Sequence, residues 1–232
     1  MKINKLQWDS EFFGKEIGEV FLHENTMPDS EPLFDLIVVK QEHEFEVKIP
    51  GFEQKFQETK VNFIKEITTS HLHDFSQIKD SDMAPKNEIF FQELAYESGK
   101  HSRFLLDPFL GTIKFKELYN KWVENSLNKK FAEKVFYIEE NLLAIGFVSL
   151  QKHNDIGKIG LIATHPDFQG KGLGRKLLAF AKNYCFENKW KYLEIPTQKE
   201  NIPACGFYEK MGYTIKDELL IKHFWKKKEI LC

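Results

Sequence analysis

Ile159-Gly160-Leu161-Ile162-Ala163-Thr164-His165-Pro166-Asp167-Phe168-Gln169-Gly170-Lys171-Gly172-Leu173-Gly174-Arg175 is the stretch on which the fold turns. From Lys158 to Thr164 it reads as a strand, and glycines then recur at alternate positions. From Arg175 to Phe186 the period changes to helical, with Leu177, Leu178, Ala181, Tyr184 and Cys185 on one face. A glycine-rich bend between a strand and a helix lets main-chain N–H groups approach a ligand, because no Cβ blocks the way. The helix behind it starts with unpaired donors and a partial positive charge, which suits a phosphate or pyrophosphate. Lys171 and Arg175 add charge. A tight exposed turn is the plainer reading of three glycines, but the flanking strand and amphipathic helix favour an anion site.

Two familiar phosphate loops do not fit. A Walker A loop needs Gly-Lys followed by Ser or Thr, whereas Lys15, Lys100, Lys158 and Lys171 precede Glu16, His101, Ile159 and Gly172. A dinucleotide fingerprint counted from Gly170 and Gly172 needs a third glycine where Arg175 stands.

Working outward, Val135 to Glu139 and Leu142 to Leu150 read as a hairpin around Glu140-Asn141. Phe90, Phe91, Leu94 and Ala95 recur at helical spacing, as do Phe115, Leu118, Tyr119, Trp122 and Val123. His101 to Phe104 and Asp107-Pro108, between these helices, predict a loop. Strand Tyr192 to Ile195, helix Ile202 to Met211 and a closing strand from Ile215 to Phe224 follow. Residues 71–228 therefore predict an α/β domain with a mixed central sheet flanked by helices. Residues 1–70 predict a smaller N-terminal α/β subdomain, including a strand through Phe45, Val47 and Ile49 that ends at Pro50-Gly51.

Composition excludes several classes. The 232 residues are 42% hydrophobic and include 22 Phe, enough to form a packed core rather than a disordered chain. A net charge of -2 gives no bulk attraction to nucleic acid or anionic lipid, so neither is an expected partner. Apolar runs such as Leu36 to Val39 are far short of a membrane span of roughly 20 residues. Cys185, Cys205 and Cys232 are widely spaced, with no leader ahead of them, and predict a reduced, cytoplasmic protein. His71 and His73 share a spacing that two metal ligands use, but no third ligand accompanies them, so no metal is expected. Trp8, Trp122, Trp190 and Trp225 are expected in the core or at a subunit interface, the latter implying a homodimer, and Lys226 to Lys228 as a solvated tail.

Gln169-Gly170-Lys171-Gly172-Leu173-Gly174 resembles the Q/R-x-x-G-x-G/A signature of the GNAT acetyltransferases. Asn201, Ala204, Phe207, Tyr208, Gly212 and Tyr213 resemble that family's downstream motif at its spacing. Without the family, Asn201 reads as a helix N-cap, Pro203 as a first-turn residue, Gly212 as a C′ residue and Tyr208 as a core aromatic. Trp8 to Gly14, Ser102 to Phe104 and Leu118 to Ser126 are similar to the dTDP-fucosamine acetyltransferase subgroup. Those enzymes acetylate the amine of dTDP-4-amino-4,6-dideoxygalactose.

The resemblance implies the GNAT fold, acetyl-CoA as co-substrate and transfer of acetyl to a primary amine. It implies that Gln169, Gly170, Lys171, Gly172, Leu173, Gly174 and Arg175 hold the pyrophosphate. Backbone groups of Leu161, Ile162 and Ala163 would align the pantetheine like an added strand and offer an oxyanion donor, while Asn201 orients the cofactor. Tyr208 is the implied proton donor to the leaving thiolate. With reference pKa values of about 10 for Tyr and about 8.5 for a thiol, that transfer is uphill by roughly 2 kcal/mol, so donation of a hydrogen bond is the alternative. Arg103 is the expected contact to a nucleotide diphosphate, a structural ion pair being the competing reading. The base stays open between His165, Glu194, a water chain and an amine that arrives neutral. Two further readings stand beside a nucleotide sugar acceptor: a polyamine, antibiotic or protein amine, and a non-catalytic acyl-CoA-binding module.

Overall fold

The computed structural model describes residues 2–24, 33–69, 74–83 and 88–227, so His71, His73, Lys228 and Cys232 lie outside it. Strand β8 (Ile156–Thr164) buries every second residue, and helix α5 (Leu173–Glu187) buries Leu177, Leu178, Ala181 and Cys185 on the face that covers it. β9 (Tyr192–Gln198) follows, parallel to β8, and α6 (Ile202–Lys210) leads into β10 (Thr214–Lys226). Ahead of them come β6 (Lys134–Glu140) and β7 (Leu143–His153). Asn141 and Leu142 turn the chain between these two at positive φ, as the hairpin reading requires.

The N-terminal strands are β1 (Asn4–Lys5), β2 (Ile17–Leu22), β3 (Leu36–Gln41) and β4 (Phe52–Glu66), with β5 (Ile78–Asp80) after them. Among the described residues all ten strands form one sheet in the order β1-β2-β3-β10-β4-β9-β8-β7-β6-β5. β10, from the far end of the chain, lies between β3 and β4, so segments 1–70 and 71–228 share that sheet. α1 (Gln7–Phe13), α2 (Gln92–Gly99) and α4 (Thr112–Leu127) pack on one face, with Phe13, Leu94 and Leu118 buried against Ile221 and Phe147. α5 and α6 cover the other, where Leu177 and Tyr208 meet Phe63 and Ile195. A mixed sheet with helices on both faces is the expected α/β architecture.

Two local expectations change. Phe45, Val47 and Ile49 do alternate toward the core, but they form no strand. The neighbouring edges are already taken: β3 by β2 and β10, β4 by β10 and β9. The Phe45 carbonyl instead accepts hydrogen bonds from Gln41 Nε2 and Lys222 Nζ. The predicted loop after His101 contains a short helix, α3 (Arg103–Leu106), whose first turn closes when Leu106 N–H donates to Ser102 O at 3.0 Å. Among the described residues no helix is long and apolar enough to cross a membrane.

Candidate active site

β8 and β9 pair only from Ile156 to Lys158 and from Tyr192 to Glu194, then splay apart. The opening is the mouth of a cleft of about 900 Å³ that runs from the α5 turn, past α6, to α3 and β4. At one end, Gly170 (φ 76°) and Gly172 (φ 81°) take the left-handed conformation that only glycine adopts without strain. Nothing lies within 4 Å of where a Cβ would stand on either, so the bend faces open space. Gly172 is the N-cap of α5 and supplies no capping side chain. The first intrahelical bond runs from Lys176 N–H to Gly172 O, which leaves the earlier amides of the turn without helical acceptors. The bend is braced by Gln169 Nε2, which donates to Thr164 O at 3.2 Å and Glu97 Oε1 at 2.8 Å. These groups fit a pyrophosphate: bare amides, a positive helix end and Arg175 at the rim.

Along the strand wall, Leu161, Ile162 and Ala163 line the cleft. The Leu161 N–H is already given to Ser149 Oγ at 2.8 Å and is not a spare oxyanion donor. Across the gap, Asn201 caps α6 by accepting from Ala204 N–H at 3.4 Å, as its N-cap reading predicts. Tyr208, about two turns further on, lines the cleft while nearly buried among Phe63, Phe207 and Tyr213. Burial, and then Cys205, raise its phenol above the ordinary tyrosine value.

The opposite end is built by α3 and β4. Glu58, buried on β4, accepts from the Arg103 backbone N–H at 2.8 Å and from Arg103 Nη1 at 3.3 Å. Burial pushes its carboxyl up, with Arg103 opposing. Asp9 of α1 also lines this end, and burial raises its carboxyl too, against the pull of Arg103. Phe104, Tyr119 and Trp122 supply an aromatic wall, and burial pushes the Tyr119 phenol up to about 12. Behind α3, the fully buried Asp107 accepts from His223 Nδ1 at 2.6 Å and Trp225 Nε1 at 2.9 Å with one oxygen, and from Phe109 N–H at 3.0 Å with the other. α3 is thus fastened to the sheet at both ends by a carboxylate.

The sequence model of the Acetyltransferase (GNAT) family matches residues 103–213, from Arg103 to Tyr213. Spermidine N(1)-acetyltransferase of Vibrio cholerae is 32% identical over 123 residues, 51% of this chain and 68% of that protein. This chain belongs to the GNAT acetyltransferase family. Spore coat polysaccharide biosynthesis protein SpsD of Bacillus subtilis is 31% identical over 137 residues, 59% of this chain. That match covers 47% of SpsD, so the chain spans about half the length of this relative. The solved GCN5-related N-acetyltransferase from Sphaerobacter thermophilus shares the fold at a TM-score of 0.56 and 12% identity, over 84% of this chain and 62% of that one.

The GNAT cleft brings together Tyr208, Asn201, Arg103, the β8 wall and the bend from Gln169 to Arg175, with one exception. Lys171 does not line it: its ammonium lies 4.4 Å from the centre of the Phe168 ring. Neither base candidate reaches it. His165 caps the 3₁₀ turn Pro166–Phe168, accepting from Asp167 N–H, and Glu194 pairs with Lys216 Nζ at 2.6 Å. Trp122 lines the cleft and Trp8 is exposed, whereas Trp190 and Trp225 are core residues. Sequence reasoning missed Glu58 and Lys60. No local signal marks them, because β4 is polar along much of its length and only the fold sets two of its polar residues against α3.

Proposed function

We propose that the chain is an acetyl-CoA-dependent N-acetyltransferase and that its acceptor is the primary amine of a nucleotide-linked sugar. The observation that carries this reading is the continuous cleft from an uncapped helix N-terminus, past Tyr208, to an aromatic and charged pocket. Acetyl-CoA supplies the activated acetyl thioester. The α5 amides and Arg175 bind its pyrophosphate, Gln169 holds the bend closed against Thr164, and the β8 edge aligns the pantetheine. Tyr208, with its acidity weakened by burial, keeps its proton and serves as a hydrogen-bond donor rather than a full acid. Asp9 and Glu58 are the cleft carboxylates in place to meet the acceptor ammonium.

Trp122 and Phe104 give this end aromatic surface for a base, with the Arg103 guanidinium already 4.5 Å from the centre of the Phe104 ring, and Arg103 keeps donors beyond the one it gives Glu58. The likeness to a protein named for polysaccharide biosynthesis supports a sugar acceptor. The site is assigned to the cytoplasm, where the thiols Cys185 and Cys205 stay reduced. Thiol release from acetyl-CoA, measured with a panel of amines, tests the reading. Turnover with nucleotide amino sugars and none with spermidine is expected. Turnover with spermidine alone overturns the acceptor, and absence of acetyl-CoA binding overturns the whole reading.

A further inference from the structure

Lys60 projects from β4 two residues beyond Glu58, on the same side of the strand, and lines the acceptor end of the cleft. It forms no hydrogen bond and no ion pair among the described residues. The surrounding cations are largely accounted for: Lys40 pairs with Glu19 at 2.5 Å, Lys100 with Glu97 at 2.6 Å, and Arg103 with Glu58 at 3.3 Å. Lys60 is a half-buried ammonium left without a counter-charge, an arrangement that is costly unless something else supplies one. We propose that Lys60, together with the free donors of Arg103, is the receptor for an anionic group of the acceptor, of phosphate or diphosphate chemistry. Burial, and then Lys158, Arg103 and Lys40, hold the Lys60 ammonium below its ordinary range, and Glu58 only partly opposes them. An incoming anion relieves that repulsion. The same charge repels a polycationic acceptor, so one residue both selects the acidic substrate and rejects a polyamine.

This inference rests on the acceptor half of the reading above and names its charge. The full chain is first saturated with CoA, so that the α5 bend is filled, and then titrated calorimetrically with dTDP or with inorganic pyrophosphate. Lys60→Met is expected to weaken both probes roughly tenfold, Lys60→Arg to hold them within about threefold, and acetyl-CoA affinity to stay within about twofold in each variant. Lys60→Gln carries the expectation of Lys60→Met and replaces it if the methionine variant does not fold. Equal affinity of wild type and Lys60→Met for both probes overturns the proposal, and so does failure of both probes, or of pyrophosphate alone, to bind the CoA-loaded wild type. Binding of pyrophosphate that depends on Lys60, with no binding of dTDP, supports the anion receptor and removes the nucleotide from the proposed acceptor. The two failures are therefore separable.

Discussion

Replacing Asp107 with alanine removes the only acceptor that His223 Nδ1 and Trp225 Nε1 have among the described residues. Asp107 is 0% exposed and His223 1%, so water cannot replace the lost bonds. Two stranded buried donors cost about 1–3 kcal/mol each, and removal of one member of a buried charged network costs about 3–5 kcal/mol, part of it offset because the carboxylate no longer needs desolvation. For a chain of 150–250 residues each kcal/mol lowers Tm by about 2–4 °C, so Asp107→Ala is expected to melt about 6–20 °C below wild type. Asp107→Asn keeps an acceptor but presents N–H toward His223, and an intermediate loss of about 1–2 kcal/mol follows. The damage extends to the site, because the Asp107 carboxylate anchors the residue whose backbone N–H closes α3 by donating to Arg103 O at 3.0 Å, and without that anchor the end of α3 is free to shift. In a variant still folded at the assay temperature, KM for the acceptor amine should therefore rise more than KM for acetyl-CoA. Thermal and urea unfolding read the first effect, and steady-state kinetics the second. A Tm within about 2 °C of wild type, with both KM values unchanged, would refute the reasoning that this buried cluster holds α3.

His223 makes stability depend on pH. Its Nδ1–H donates to Asp107 and its Nε2 has no partner among the described residues, so burial favours the neutral ring and lowers its pKa from 6.5, with Asp107 opposing. The unfolded chain then binds the extra proton first: stability falls as pH drops through 6.5 and the loss levels off below the folded value. Urea midpoints between about pH 5.5 and about pH 7.5 should show this slope, and His223→Gln should flatten it. Tyr208→Phe should lower kcat on the order of a hundredfold while acetyl-CoA affinity holds, and an unaltered kcat removes Tyr208 from the mechanism. Gly172→Ala places a Cβ on a residue at φ 81°. It should cost about 1–2 kcal/mol in stability and weaken acetyl-CoA binding measured calorimetrically, and full affinity would show that this bend does not hold the cofactor.

Alternation along β8, the glycine-rich bend and the apolar face of α5 are set by residues within a few turns of one another, so backbone sterics and hydrogen-bond period make them legible without the fold. Asn201 capping α6 and Gly212 closing it at positive φ belong to the same class. The end of the cleft proposed to hold the cofactor therefore reads from local sequence. His165 and Glu194 looked eligible as bases because both sit near strand ends, yet neither lines the cleft, and the direction in which a strand-end side chain points depends on what packs beside it. The Phe45 to Ile49 segment kept its alternation and lost its strand because pairing needs a free edge, and free edges are a property of the whole sheet.

The primary sequence by itself determined the strand, bend and helix that suit a pyrophosphate, since those depend on torsion angles and on which amides a helix leaves unpaired. Only the tertiary structure decided the opposite end, where the acceptor is proposed to sit. β10 had to enter between β3 and β4, and α3 had to settle over them, before Glu58 met Arg103 across 45 positions and Asp107 met His223 across 116. Charges so far apart along the chain acquire a shared environment only when folding removes the water between them.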